Sequence, residues 1–323
     1  MSHEVAVWPD AGRARFLGFF GLVTPASGPT TTTGGPSDAT VTARWAHGGR
    51  STRYIAQAPT AKPMTSPIEP RTASLYHASP APRAPAVEPT FAAAIVMVAM
   101  ATYLTVPFVV PAFLALPVAQ AALAAVPITA VIALHPARPL AALGLRGARP
   151  RFLAAAVAIG ATAWYVNIRL VSLLPLPERQ ARVLEDLVDR PPLLHALAMF
   201  ALVPALCEEI LFRGVLARAL GRRISIGAAA AISAAVFAAY HLSVVQALPT
   251  LTLGFVLALI AIRADSVLPA IVAHAINNAL AIAMSRGELP ALAGWIGDHP
   301  AAALAGCATA TALGVAVALR GPA

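Results

Sequence analysis

Apolar stretches long enough to cross a membrane fill the sequence from Phe91 to the C-terminal end. A membrane-spanning helix needs about 20 consecutive apolar residues, because the hydrocarbon core of a bilayer is about 30 Å thick. Of the 323 residues, 58% are hydrophobic and 11% are charged, whereas soluble domains have about 25% charged residues. A water-soluble fold of this size cannot bury so much apolar surface. The sequence therefore predicts an all-α protein, a polytopic bundle of transmembrane helices.

The apolar region divides into about eight predicted spans. They are 91–110, 111–134, 152–174, 193–212, 224–247, 248–262, 267–284 and 301–319. Residues 1–90 are rich in Pro, Thr, Ser, Gly and Ala and hold too few large apolar residues to build a core. This composition predicts a disordered N-terminal tail (1–90) ahead of a membrane bundle (91–323). An alternative start at Met64 would remove most of the tail.

Arginines follow every second predicted span, and the alternate connections are neutral or acidic overall. The arginines follow spans two, four, six and eight, as Arg138, Arg146, Arg149, Arg151, Arg218, Arg222, Arg223, Arg263 and Arg320. Because cytoplasmic connections carry the excess of Lys and Arg, this pattern predicts a multi-pass protein of the cytoplasmic (inner) membrane with both termini cytoplasmic. The net charge of +9 is then an orientation signal, which predicts the lipid bilayer as a partner and no nucleic acid. The amphipathic stretch 177–192 is either a helix on the outer membrane surface or a polar linker.

Three predicted spans contain ionisable side chains at membrane depth, where such groups are costly and mark functional sites. The motifs are Glu208-Glu209-x-x-x-Arg213, Phe237-x-x-x-His241 and His274-x-x-x-Asn278. At about 1.5 Å per residue, the two histidines, Glu208 and Asn278 lie roughly 12–24 Å from the predicted cytoplasmic helix ends. Each residue alone could be a packing or hydrogen-bonding residue, but their common depth predicts one functional site.

Helical spacing separates the roles of the two glutamates. Glu209 and Arg213 are four residues apart, with the acid first, which favours an ion pair with a structural role. Glu208 is rotated by about 100° from Glu209 and has no partner on its own helix, so it is the candidate general base. His274 and Asn278 share one helix face, as do Phe237 and His241, which places the Phe237 ring next to the imidazole.

The three motifs, in this order, resemble the signature of the CAAX prenyl endopeptidase and bacteriocin-processing (CPBP, Abi) family of intramembrane proteases. The resemblance covers about 193–284, the predicted protease core. It implies peptide-bond hydrolysis inside the bundle, with a water activated by Glu208 and His241. It also implies that His274 and Asn278 polarise the scissile carbonyl and its oxyanion, and that Glu209 and Arg213 brace the site.

The family is usually described as metalloproteases, which makes a bound metal an expectation. Glu208, His241 and His274 would then be the ligands, and Zn²⁺ suits imidazole and carboxylate donors with an open position for water. The same residues could act as acid–base catalysts without a metal, so both mechanisms stay open. The sequence contains no His-Glu-x-x-His motif, which excludes that type of zinc protease.

The resulting functional prediction is an intramembrane endopeptidase acting on a membrane-associated or C-terminal peptide substrate. One alternative is a proton-coupled transporter that uses the buried Glu and His residues as a relay. The absence of an internal repeat of spans disfavours it. The other alternative is a non-catalytic immunity or scaffold protein that binds peptides in the same cavity. Glu208→Ala distinguishes the endopeptidase from the non-catalytic protein, because only the non-catalytic protein would keep its biological activity.

Overall fold

The structure is a computed structural model that describes residues 85–173 and 188–320, and this part of the chain is helical without strands. Its longer helices, numbered in chain order, are α1 (Pro89–Val109), α2 (Ala112–Leu134), α3 (Pro150–Val171), α4 (Leu193–Leu220), α5 (Ile226–Tyr240), α6 (Val244–Ala264), α7 (Leu268–Ser285), α8 (Pro290–Asp298) and α9 (Pro300–Leu319). Seven of them are long and apolar enough to cross a membrane, and α5 is a shorter apolar helix. The predicted all-α membrane bundle is confirmed. Residues 1–84 of the predicted disordered tail (1–90) lie outside the described residues.

The predicted junction between the fifth and sixth spans, at 247/248, is wrong by several residues. Helix α5 ends at Tyr240, and α6 begins at Val244. Leu242 takes the left-handed conformation, with φ 49°, which an α-helix of L-residues cannot continue. Because apolar residues flank this break on both sides, hydropathy does not reveal it. The break leaves His241 at the C-terminal end of α5.

Helix α4 is not a regular α-helix. Two π-helical segments, Ala198–Leu202 and Ile210–Ala217, flank an α-helical segment, Val203–Glu209. The π-helix is rare and is frequent at functional sites. The α-to-π transition falls directly after the two adjacent glutamates, and α4 continues to Leu220, beyond the predicted span 193–212.

Two other predicted features lie on the connections. The connection between the last two predicted spans, 285–300, contains a further helix, α8, which sequence reasoning missed. Residues 177–187 of the predicted amphipathic stretch (177–192) lie outside the described residues, so its two interpretations stay open.

Glycines allow the helices that carry the motifs to pack closely. A Cβ atom at Gly160 of α3 would lie 2.6 Å from the carbonyl oxygen of Ala273 on α7. A Cβ atom at Gly214 of α4 would lie 2.5 Å from the carbonyl oxygen of Leu143. Small residues at such contacts are how membrane helices bring their backbones together. The close approaches fix α4 and α7, which carry Glu208 and His274.

Arginines from different connections meet at one end of the bundle. Oδ1 of Asp265 accepts hydrogen bonds from Nη2 of Arg218, at 3.0 Å, and Nη2 of Arg222, at 2.9 Å. Oδ2 of Asp265 lies 3.5 Å from Nη1 of Arg146. The connections that follow α2, α4 and α6 therefore lie at the same end of the bundle. This is the arrangement that the alternation of arginines requires.

Candidate active site

The four side chains predicted to be catalytic line one cavity between α2, α4, α5 and α7. They are Glu208, His241, His274 and Asn278. The space open to the centre of a water-sized sphere is about 50 Å³, and one buried water needs about 10–15 Å³ of such space. The cavity therefore has room for a few waters beside these polar groups. Helices that are far apart in sequence bring the four residues together, as their common depth predicts.

Glu208 projects from the irregular helix α4 and is 5% exposed. Its Oε1 accepts a hydrogen bond from Nε2 of Gln120 on α2, at 3.2 Å. Its Oε2 lies 4.0 Å from Nε2 of His274 on α7. A buried carboxylate is tolerated only where donors or positive charge surround it. The partners of Glu208 therefore come from neighbouring helices and not from its own.

Glu209 and Arg213 form the predicted ion pair, with 2.7 Å between Oε1 and Nη1 and both side chains fully buried. The guanidinium carbon of Arg213 lies 4.2 Å from the centre of the Phe237 ring. A Cβ at Gly254 would lie 3.0 Å from both side chains, so this glycine makes room for the stack. Sequence reasoning missed a further contact: Oε1 of Glu209 lies 2.8 Å from Nδ1 of His274. Glu209 therefore also orients a predicted catalytic histidine.

Hydrogen-bond partners define the protonated nitrogen of each histidine. Nδ1 of His241 lies 2.8 Å from the carbonyl oxygen of Phe237. A carbonyl oxygen only accepts hydrogen bonds, so Nδ1 carries the proton and Nε2 is left as an acceptor. Nδ1 of His274 donates in the same way to the carboxylate of Glu209. The Phe237 ring meets the His241 ring edge-on, with 4.8 Å between centres, which also holds the imidazole in place.

Asn278 is anchored by a backbone carbonyl of α4 with which Pro204 cannot pair. Pro204 has no N–H group and cannot donate the α-helical hydrogen bond to the carbonyl of Phe200, four residues earlier. Nδ2 of Asn278 donates to this oxygen at 3.2 Å. Oδ1 of Asn278 accepts from Nδ2 of Asn277 at 3.1 Å. An amide nitrogen has two hydrogens, so the second N–H of Asn278 is available to a ligand in the cavity.

Four polar residues that sequence reasoning missed also line the cavity. They are Tyr103, Gln120, Tyr240 and Thr250. A signal existed for one of them, because Gln120 is the one carboxamide in the apolar predicted span 111–134. The other three are residue types that are common in membrane helices, and only the packing of α1, α5 and α6 brings them to the site.

The three predicted metal ligands do not form a metal site in this arrangement. Within 85–173 and 188–320, no group of three or more His, Cys, Asp or Glu side chains is placed to hold a metal ion. A carboxylate and two imidazoles are suitable zinc donors by type, but Glu208, His241 and His274, although they line one cavity, are not grouped closely enough to hold a metal ion here. Zinc binding stays a prediction, and no chemical step below depends on it.

The fold and the cavity define a class: a multi-pass membrane protein with carboxylate, imidazole and amide groups around a buried space for water. Residues 190–280 match the family described as type II CAAX prenyl endopeptidase Rce1-like. The resemblance predicted from the three motifs is thus confirmed over this segment, and the match indicates a protease, a class of hydrolase. The matched segment contains all four predicted catalytic residues, whereas Gln120 lies outside it. Comparison with curated proteins and with solved structures finds no match.

Proposed function

We propose that this protein is an intramembrane endopeptidase that hydrolyses a peptide bond of a membrane-associated or C-terminal peptide substrate. The observation that carries the proposal is the cavity, where Glu208, His241 and Asn278 meet inside an apolar bundle. Hydrolysis inside a membrane needs water at a depth that lipid keeps dry. A polar cavity with room for a few waters supplies it next to a carboxylate.

In the first step, a water is held between Glu208 and the unprotonated Nε2 of His241. The carboxylate of Glu208 takes one proton from the water as its oxygen attacks the carbonyl carbon of the scissile bond. This forms a tetrahedral intermediate with a negatively charged oxygen. The hydrogen bond from Nδ1 of His241 to the Phe237 carbonyl supports this role, since it keeps Nε2 facing the water as an acceptor.

In the second step, the free N–H of Asn278 donates to the oxyanion. One such donor contributes about 10²–10³-fold to kcat. Nδ1 of His274 donates to Glu209, so its Nε2 can help to hold the oxyanion only when the ring carries both protons. The proton on Glu208 then passes to the leaving nitrogen as the C–N bond breaks. The carboxylate is regenerated, and the products are a carboxylic acid and an amine.

The test uses the purified full chain in proteoliposomes and two fluorogenic peptides that end in Cys-aliphatic-aliphatic-X, one farnesylated at the cysteine and one not. We expect the wild type to cleave at least one peptide, and Glu208→Ala and His241→Ala to abolish cleavage with a retained thermal unfolding transition. Cys207→Ala is the matched control, since this half-buried neighbour of Glu208 does not line the cavity. Turnover retained by either active-site variant would overturn the proposal.

A second experiment identifies the natural substrate class without a chosen peptide. Membrane proteins of cells that express the wild type are compared with those of cells that express Glu208→Ala. A substrate is a protein whose length or C-terminus differs between the two. The farnesylated and plain peptides then show whether a lipid on the substrate is required.

We also propose that the protein lies in the cytoplasmic membrane with both termini in the cytoplasm. The support is the cluster of Arg146, Arg218 and Arg222 around Asp265 at one end of the bundle, which the positive-inside rule places on the cytoplasmic side. A reporter fused after Arg320 should be cytoplasmic. Labelling of that reporter from outside the cell would contradict the orientation.

A further inference from the structure

Gln120 is a buried carboxamide on α2, outside the segment that matches the protease family. It is 3% exposed, and its Nε2 donates to Oε1 of Glu208 at 3.2 Å. Such a group is costly inside an apolar helix unless both ends of the amide find partners. The sequence of α2 is otherwise almost entirely apolar, so packing alone gives no reason for an amide at this position.

The orientation of the amide follows from its partner. An ionised carboxylate only accepts hydrogen bonds, so the nitrogen of Gln120 faces Glu208 and its Oε1 points away. This Oε1 is buried and has no hydrogen-bond partner within the described residues, and Gln120 lines the cavity. A buried acceptor beside a space for water requires a donor from the contents of the cavity, which are water or the N–H of a bound peptide.

We propose that Gln120 is a positioning residue of this active site. Its N–H holds Oε1 of Glu208, so that Oε2, on the side of His274, is the oxygen that takes the proton from water. Its own Oε1 accepts a hydrogen bond from that water or from a substrate N–H. The inference rests on the proposed endopeptidase function and adds to the site a residue from outside the three motifs.

The first test is Gln120→Met, which keeps the length of the side chain and removes both hydrogen-bonding groups. We expect kcat per folded protein to fall by about 10–100-fold, because a small misplacement of a reacting group has effects of this size. KM should change by less than about threefold, since substrate binding is retained. Gln246→Met is the matched control. Gln246 is fully buried, its amide has no hydrogen-bond partner among the described residues, and it does not line the cavity, so the control keeps kcat.

The second test reports the contact without any substrate. Unfolding temperatures are measured for Gln120→Met, Glu208→Ala and the double variant. Side chains in direct contact give non-additive effects, so additive shifts would overturn the contact. A kcat within twofold of the wild type, a rise of KM that accounts for the loss, or an equal loss in Gln246→Met would overturn the positioning role.

The outcomes separate this inference from the proposed function. If the wild type and Glu208→Ala are equally inactive on both peptides, the endopeptidase proposal fails. If the wild type is active and Gln120→Met is equally active, only the role of Gln120 fails. Should Gln120→Met not fold, Gln120→Asn replaces it. Its amide is one methylene too short to reach Glu208, so it must show the same loss of kcat, and full activity would refute the inference.

Discussion

The link between Pro204 and Asn278 gives a prediction in which stability and activity change in opposite directions. Pro204→Ala restores a backbone N–H in the middle of α4. That N–H can donate to the carbonyl of Phe200, which is the acceptor for Nδ2 of Asn278 at 3.2 Å. The substitution therefore adds a second donor to the oxygen that holds the catalytic side chain, and we expect it to weaken that contact.

The structure sets bounds on both effects. Proline inside a helix costs up to about 3 kcal/mol relative to alanine, so Pro204→Ala should raise stability by at most this amount. A neutral hydrogen bond contributes about 1 kcal/mol, which gives about a fivefold loss of kcat if Asn278 only loses its anchor. Complete loss of one oxyanion donor costs about 10²–10³-fold. We expect a loss between these limits, and the full loss in Asn278→Ala.

The assay measures kcat on the fluorogenic peptides and the unfolding temperature of the same preparations. Pro127→Ala is the matched control, because Pro127 is also inside a membrane helix but does not line the cavity. The control should gain stability and keep kcat. If Pro204→Ala keeps kcat within twofold of the wild type, the Phe200 carbonyl does not position Asn278. If its unfolding temperature falls, the proline does not weaken the helix.

Three further predictions concern the brace, the packing and the metal. Glu209→Gln should lower stability by about 3–5 kcal/mol, because it leaves the buried charge of Arg213 unpaired; unfolding in denaturant measures this, and addition of Arg213→Met should recover part of the loss. Gly160→Ala should destabilise by about 1–3 kcal/mol, since its Cβ meets the α7 backbone. Gly306→Ala, where the Cβ meets nothing within 4 Å, should not, and equal unfolding temperatures would refute the packing argument. Metal analysis of active protein tests the zinc prediction, which requires one Zn²⁺ per chain and loss of activity with a chelator.

The sequence predicts the membrane bundle and the motif residues well, because hydropathy and the cost of buried charge act locally. Residues with costly side chains, such as Glu208 and His274, are conspicuous in apolar spans. The break at Leu242 is not conspicuous, since its left-handed backbone leaves no trace in hydropathy. Contacts between distant helices, such as Gln120 with Glu208, depend on packing that no local pattern encodes.

The balance of charge in the buried cluster explains how such a site can work at membrane depth and leads to a last prediction. With neutral histidines, Glu208, Glu209 and Arg213 sum to one negative charge. When Glu208 takes a proton from water and the oxyanion forms, the total charge of these three residues and the oxyanion is still one negative charge, which only moves from Glu208 towards Asn278. A low-dielectric site then pays no new charging energy in the transition state, and preorganised donors such as Asn278 determine the barrier.

The same balance predicts a cost in the resting protein, because Glu208 is the member of the cluster without a fixed positive partner. Glu208→Gln keeps the shape of the side chain, its acceptor for Gln120 and the contact with His274, and it removes the unbalanced charge. We therefore expect Glu208→Gln to be inactive and to unfold at a higher temperature than the wild type, since removal of a strained functional charge stabilises a protein. Glu208→Ala, which leaves an empty space instead, should be less stable than Glu208→Gln. A lower unfolding temperature for Glu208→Gln than for the wild type would show that the negative charge of Glu208 stabilises the fold, and would refute this reasoning.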